Sequence, residues 1–145
     1  MGGTETETTL SRNRLAIDSI ALRPRVRDVS RVDASVDAFG RRLRLPVLLA
    51  PAGPLALFGR DGGSTVARAA QDFGIAHMLS SGCTPPEVVA AAAPDALRTA
   101  QLHGRGDDTF VQNYGARAAA CGCTAFCLTL DTAVSSRRER DIAKR

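Results

Sequence analysis

Aromatic residues are scarce in this sequence, which contains no tryptophan and a single tyrosine. Proteins that bind single-stranded nucleic acids stack the bases on aromatic side chains along a basic surface. The net charge of +4 would permit contact with nucleic acid, but the basic residues are scattered along the chain. We therefore expect no nucleic-acid partner.

Long hydrophobic runs are also absent. No segment approaches the ~18 to 20 consecutive apolar residues of a membrane-spanning helix, and residues 1–5 lack the basic and apolar regions of a signal peptide. These absences predict a cytoplasmic protein without a membrane partner. With 145 residues, of which 44% are hydrophobic and 23% charged, the chain is long enough for one domain with one core.

Cysteine is sparse, and the four cysteines are Cys83, Cys121, Cys123 and Cys127. The last three lie close together in the sequence, but no histidine is near them and their spacing matches no pattern of zinc fingers or ribbons. In addition, Cys127 stands in the middle of a predicted strand. We predict no metal site and free, buried thiols.

The most informative feature is a set of four short apolar runs that each end in polar residues. The clearest run extends from Ala125 to Thr132 and closes on Thr129 and Asp131. Such a run is typical of a buried parallel strand with polar groups at its carboxyl end. The other runs are Leu45–Gly53, with a predicted strand over residues 45–50, and Ala76–Ser81 and Ala96–His103.

Helical patterns separate these runs. Segments 62–73, 84–93 and 109–120 combine apolar spacing with glycine, threonine or proline at their ends. Strands that alternate with helices indicate parallel β/α units joined by right-handed crossovers.

Two architectures accept this alternation, an open doubly wound sheet and one half of an eight-stranded barrel. A dinucleotide-binding sheet would carry G-x-G-x-x-G after its first strand, whereas residues 51–54 read Pro-Ala-Gly-Pro. The sequence therefore favours the α/β class and a (β/α)8 TIM barrel.

We expect residues 1–44 to form a cap, with a helix over residues 8–20 and a hairpin over 35–44. Residues 45–145 would form the first half of the barrel, with about four strands, and would stop where a fourth barrel helix should begin.

Seven short markers occur in one order along nearly the whole chain. They are Gly3–Glu7 with Thr9, Leu10 and Asn13; Leu22–Arg25; Leu45 and Pro46 with Ala50–Gly53; Leu79–Ser81; Gln101 and Leu102; Leu128–Thr132; and Arg137–Glu139 with Asp141 and Ile142. Any one of them alone would be a weak signal. In this order and at this spacing, the chain resembles the N-terminal half of the FMN-dependent α-hydroxy acid oxidising enzymes, a family that includes glycolate oxidase, lactate oxidase, lactate monooxygenase and mandelate dehydrogenase.

The resemblance implies FMN as the cofactor. The backbone at Ala52 and Gly53 would lie against the N5 side of the flavin, where small residues let the ring approach. Ser80, Gln101 and Thr129 match positions that hydrogen bond the pyrimidine edge of the ring. Taken singly, each of these three residues could also be an ordinary polar strand end.

For catalysis, the resemblance implies three further residues. Asp131 matches a carboxylate that accepts a hydrogen bond from the catalytic histidine and stabilises the imidazolium, although a helix cap is an alternative interpretation. His103 stands where the family carries a tyrosine that contacts the substrate carboxylate, and an imidazole can still donate a hydrogen bond. Arg138 matches a loop arginine near the same carboxylate, and a solvated basic run is the alternative.

The reaction implied by the resemblance is the FMN-dependent oxidation of a small 2-hydroxy acid to a 2-oxo acid, in a homo-oligomeric full-length enzyme. The catalytic histidine and arginine belong to the second half of the family's chain. We therefore expect this chain to be an N-terminal fragment that is inactive alone. The alternative from another functional class is a non-catalytic remnant or a half-barrel that serves as an interaction module.

Overall fold

The structure, a computed structural model, describes residues 2–26, 30–104, 106–130 and 136–144. The chain divides into two compact units. The first unit combines Met1–Val32 with Ala133–Arg145, and the second is Asp33–Thr132. The predicted division into residues 1–44 and 45–145 stays a prediction.

The described residues form helices and strands that alternate through most of the second unit. In chain order the elements are α1 (Thr8–Asp18), β1 (Val36–Ala38), β2 (Arg41–Leu43), β3 (Leu48–Leu49), a 3₁₀ turn (Leu55–Leu57), α2 (Gly63–Phe73), β4 (Ala76–Ser80), α3 (Pro86–Ala92), β5 (Leu97–His103), α4 (Asp108–Ala120), β6 (Cys123–Thr129) and α5 (Glu139–Ile142). No helix in this described part of the chain is long and apolar enough to cross a membrane.

The first unit joins the two ends of the chain. The Gly2 amide donates to Asp141 Oδ1 at 2.9 Å, and the Glu7 carboxylate pairs with Arg140. The helix predicted over residues 8–20 is confirmed as α1, which is two residues shorter and buries none of its side chains. Since α1 contributes no buried side chain, polar contacts such as these connect the two ends of the chain.

The second unit contains two sheets. β1 and β2 form the predicted antiparallel hairpin, with Val36 opposite Leu43. β3, β4, β5 and β6 form a parallel sheet in that order, and α2, α3 and α4 connect consecutive strands. The predicted alternation of strand and helix is therefore confirmed.

The first strand of the parallel sheet is shorter than the sequence predicted. β3 comprises only Leu48–Leu49, although residues 45–50 carry a strand-like apolar pattern. Pro46 has no N–H to donate, and the Val47 amide donates to the Leu45 carbonyl at 2.8 Å rather than to a neighbouring strand. The proline and this local bond delay the start of pairing.

The helix-facing core orients the parallel strands. Leu79 of β4 packs against α2 and α3, and Leu102 of β5 packs against α4. Burying a leucine side chain contributes about 1.5 to 3 kcal/mol, so a strand that turned over would lose that contribution. Since side chains alternate along a strand, Ser80 and Gln101 lie on the face away from the helices.

The last strand of the sheet is an exposed edge. β6 pairs only with β5 within the described residues, and on it Phe126 and Leu128 are 48% and 54% exposed. Leu130, just beyond the strand, is 81% exposed. All four cysteines are free, but the prediction that they are buried is wrong, since Cys83, Cys121 and Cys123 are only half-buried and Cys127 is exposed on this edge strand.

Two basic side chains are buried on neighbouring strands. Arg98 Nε donates to the Cys121 carbonyl at 3.2 Å and Nη2 donates to the Pro94 carbonyl at 3.2 Å. His77 lies opposite Arg98 and is 1% exposed, and its Nδ1 has no hydrogen-bond partner among the described residues. Burial lowers the pKa of His77, and the nearby Arg98 charge lowers it further.

The buried histidine predicts acid sensitivity. Folding lowers the pKa of His77 below its unfolded value of 6.5, so the histidine does not reduce stability above that pH. As the pH falls below 6.5, the unfolded chain binds a proton at this histidine while the folded chain does not, and stability is lost. Urea unfolding at about pH 7.5 and about pH 5.5 should show a loss of up to ~1 kcal/mol. His77→Leu should remove this loss and the control His103→Gln should retain it; an unchanged pH dependence in His77→Leu would contradict the prediction.

Candidate functional site

Three predicted site residues meet at the carboxyl ends of adjacent strands. Ser80 lies opposite Gln101 in the register of β4 with β5. Gln101 Nε2 donates to Thr129 Oγ1 at 2.8 Å, which links β5 to β6. Ser80 is 4% exposed, and the other two side chains are half-buried. The parallel register thus brings all three together, while their roles stay predictions.

The bond between Gln101 and Thr129 uses only one of the two N–H groups of the Gln101 amide, and it leaves both acceptors and donors available for a ligand. The Gln101 amide oxygen remains an acceptor, and the Thr129 hydroxyl, having accepted a hydrogen bond, can still donate its proton. Within the described ranges, neither group has a further partner. The pair can therefore bind a planar ligand edge on which donors and acceptors alternate.

His103 lies beside this pair at the end of β5. It is half-buried and stands opposite Thr129 in the register of β5 with β6. Its backbone amide donates to Ser81 Oγ at 3.3 Å. Ser81, Gly82, His103 and Phe110 line a cavity of about 220 Å³.

Sequence reasoning missed the contribution of Ser81. Its hydroxyl holds the backbone of His103, whereas its neighbour Ser80 lies at the end of β4 opposite Gln101. The sequence signal that could have revealed this contact is the pair of serines at the end of the strand. Successive residues of a strand point to opposite sides, so the two serines can make different contacts. Phe110 carried no comparable signal, since its place in the cavity depends on how α4 packs.

Ala52 and Gly53 follow β3 on the way to the 3₁₀ turn. The Gly53 carbonyl accepts a hydrogen bond from the Leu55 amide at 2.7 Å. A methyl group added at Gly53 would meet no heavy atom of the described chain within 4 Å. Open space therefore lies beside this backbone, and a flat ring could approach it. The predicted contact of Ala52 and Gly53 with the flavin stays a prediction.

Two further residues, Asp131 and Arg138, were predicted to take part in catalysis. Asp131 is outside the described residues, so its role stays a prediction. Arg138 is exposed in the first unit and caps α5 through its backbone, where its carbonyl accepts hydrogen bonds from the amides of Asp141 and Ile142 at 3.1 Å each. Its proposed contact with substrate stays a prediction.

Metal binding receives no support from the described part of the chain. No three histidine, cysteine, aspartate or glutamate side chains there are placed to hold a metal ion. The expectation that the protein has no metal site stays a prediction.

Comparison with known proteins identifies the family. The sequence matches the FMN-dependent dehydrogenase family over residues 1–145. The chain belongs to this family. It is 36% identical over 142 residues to the L-lactate dehydrogenase of Haemophilus influenzae (strain PittEE). It is also 36% identical over 144 residues to glycolate oxidase 1 of Oryza sativa subsp. indica.

These relatives are much longer than this chain. The matches cover 97% of this chain but 37% of the Haemophilus influenzae protein, and 99% of this chain but 39% of the Oryza sativa protein. The structure matches a crystal structure of mandelate oxidase with benzoyl-formic acid at a TM-score of 0.87 and 34% identity, over 99% of this chain and 43% of that chain. The predicted fold class, a partial TIM barrel with parallel strands, is confirmed.

Membership of the family implies FMN, as the sequence predicted. The residues at the strand ends fit this cofactor. The pyrimidine edge of a flavin alternates carbonyl oxygens with an N–H group, which complements the free acceptor of Gln101 and the free donor of Thr129. The open space beside Gly53 is compatible with a ring that lies across the strand ends.

The proposed hydrogen-bonding pair can be tested in a fusion of residues 1–145 with the C-terminal remainder of the Oryza sativa glycolate oxidase 1. Gln101→Ala and Thr129→Ala should each weaken FMN binding by about 1 to 2 kcal/mol, because each removes a half-buried hydrogen bond to the ring. Fluorescence titration with FMN measures the change. Thr109→Ala, on the exposed side of α4, is the matched control, and unchanged FMN affinity in both site variants would overturn the assignment.

Proposed function

We propose that the full-length protein oxidises a small 2-hydroxy acid to a 2-oxo acid with bound FMN, which supplies the acceptor for the hydride equivalent. The observation that carries this proposal is the hydrogen-bonded pair of Gln101 and Thr129 at the strand ends, in a chain that belongs to the FMN-dependent dehydrogenase family. The names of the relatives, which include a lactate dehydrogenase, a glycolate oxidase and a mandelate oxidase, support the substrate class.

In this proposal the strand ends hold the cofactor in one orientation. Gln101 and Thr129 are tied to one another across β5 and β6, so neither side chain has to be ordered again when a ligand binds. Ser80 lies next to Gln101 and is almost wholly buried, which limits the access of water at that side. The three residues would bind and orient the flavin rather than take part in proton transfer.

Substrate would be held beside this pair. His103 faces the cavity that it forms with Ser81, Gly82 and Phe110, and an imidazole N–H can donate a hydrogen bond to a carboxylate. Arg138 would be a second contact to the substrate carboxylate, as the family resemblance implies. The cavity of about 220 Å³ has room for the body of a small 2-hydroxy acid.

Asp131 is proposed to support the base that removes the substrate proton. That base is a histidine in the family and lies in the part of the relatives that this chain does not cover. A fixed carboxylate beside an imidazole stabilises the imidazolium once the proton has been taken, and it also fixes the orientation of the ring. Asp131 is therefore a positioning residue rather than a proton acceptor.

This role predicts a kinetic signature. In the fusion protein, Asp131→Ala should slow the reduction of bound FMN far more than it weakens substrate binding, because the charge acts only as the imidazolium develops. Rapid mixing with substrate under anaerobic conditions separates the two quantities. Equal effects on both quantities would indicate a structural cap, and Asp131→Asn serves to retain the shape while removing the charge.

The proposal also predicts that the 145-residue chain alone is catalytically silent and binds FMN weakly or not at all. Val47, Leu128 and Leu130 are exposed at or near the outer strands of the parallel sheet. Each large apolar side chain left in water forgoes about 1.5 to 3 kcal/mol. The isolated chain should therefore associate through these edges or remain loosely packed.

Sedimentation, together with flavin absorbance after incubation with FMN, tests this prediction directly. The expected result is an oligomer or a heterogeneous sample without stoichiometric flavin. A stable monomer that carries one FMN and oxidises lactate, glycolate or mandelate would contradict it.

A further inference from the structure

The cavity beside the pair of Gln101 and Thr129 has an apolar side. Of its four lining residues, Ser81 uses its hydroxyl to hold the backbone of His103, and the His103 imidazole can contact a carboxylate. The other two, Gly82 and Phe110, bring no polar side chain into the cavity. The part of a ligand that lies against them should therefore be apolar.

Phe110 is held in place through its backbone and through its ring. Its amide donates to Asp107 Oδ1 at 2.9 Å, the bond that caps α4. Its ring stacks on that of the buried Tyr114, with 6.4 Å between the ring centroids and 14° between the ring planes. A side chain that is already ordered in this way loses little conformational freedom when a ligand packs against it.

Two glycines near Phe110 have different reasons to be glycine. Gly106 has a φ of 82°, and a Cβ added there would lie 3.1 Å from Phe110 Cβ, so both the backbone and the packing require glycine. Gly82 has no such φ, and a Cβ added there would meet no heavy atom of the described chain within 4 Å. The missing side chain of Gly82 therefore serves mainly to leave space in the cavity.

The space beside Phe110 is large enough for an aromatic ring. Phe110 remains 39% exposed although its ring stacks on Tyr114. The cavity measures about 220 Å³, whereas an apolar protein cavity of about 150 Å³ already accommodates benzene. By contrast, the hydrogen atom or methyl group that glycolate or lactate carries beside its hydroxyl would leave most of this cavity to water.

We propose that Phe110 determines specificity in this cavity and that the preferred substrate is a 2-hydroxy acid with an aromatic side chain, such as mandelate or phenyllactate. The substrate ring packs on Phe110 over the space left by Gly82, and the carboxylate lies at His103. This inference rests on the oxidation proposed above and names the substrate class of that site.

Two inert carboxylates test the pocket without relying on catalysis. Phenylacetate and acetate differ by an aromatic ring, and neither carries the hydroxyl group that would be oxidised. Titration of the FMN-loaded fusion protein, followed by the visible absorbance of the flavin, measures both dissociation constants. Phenylacetate should bind at least about tenfold more tightly than acetate, because its ring leaves water for the surface of Phe110.

Variants of the fusion protein share one C-terminal half, so they isolate the contribution of each residue. Phe110→Ala should reduce the preference for phenylacetate over acetate by about fivefold, and Gly82→Leu, which fills the cavity, by about tenfold. Phe73→Ala is the matched control, because Phe73 is a similarly exposed phenylalanine of α2 whose ring contacts Arg44. The control should keep the original preference.

Two results of this titration would overturn the proposal. One is equal binding of phenylacetate and acetate by the original fusion protein. The other is a preference for phenylacetate that neither Phe110→Ala nor Gly82→Leu reduces relative to Phe73→Ala. Since the flavin absorbance reports that each protein is folded and loaded with FMN, a loss of folding is recognised separately.

Turnover distinguishes this inference from the proposed oxidation. The ratio of kcat/KM for mandelate to that for glycolate should fall in Phe110→Ala and Gly82→Leu by about the same factors as the binding preference. If no 2-hydroxy acid reduces the flavin, the oxidation is wrong while the titration still decides the pocket. If both acids reduce it at a ratio that neither variant changes, the aromatic pocket is wrong while the oxidation stands.

Discussion

The parallel pairing of β4, β5 and β6 determines where the polar groups of the candidate site lie. Parallel strands end at the same edge of a sheet, and the register sets Ser80 against Gln101 and His103 against Thr129. The helix-facing core fixes which side of each strand is turned toward that site, because Leu79 and Leu102 are buried on the other side. The hydrogen bond from Gln101 to Thr129 follows from this arrangement.

The parts of the fold that could be predicted from the sequence are those whose signals lie within a short stretch of the chain. The helices α2 and α4 and the strands β4 and β5 carry their signals locally, in apolar periodicity and in glycine or proline at their ends. β3 is shorter than its apolar pattern predicted, because Pro46 and a local hydrogen bond of Val47 delay the start of strand pairing. The exposure of Cys127 depends on β6 being an edge strand, which no local pattern reveals.

In the candidate site, too, some residues could be predicted from the sequence and others could not. The family resemblance implied Ser80, Gln101 and Thr129, and they could be expected to meet because polar residues at the ends of parallel strands converge at one edge of the sheet. The part played by Ser81 depends on a contact between two strands, in which its hydroxyl accepts a hydrogen bond from the His103 amide. Sequence patterns describe neighbours along the chain, whereas this contact is set by the pairing of β4 with β5.

The central claim is that these strand ends hold a flavin that accepts electrons from a 2-hydroxy acid. Anaerobic mixing of the FMN-loaded fusion protein with lactate, glycolate or mandelate, followed by visible absorbance, tests it most directly. The account predicts that at least one of these acids bleaches the oxidised flavin and leaves the corresponding 2-oxo acid. Flavin that is firmly bound but stays oxidised with all three acids would contradict the account.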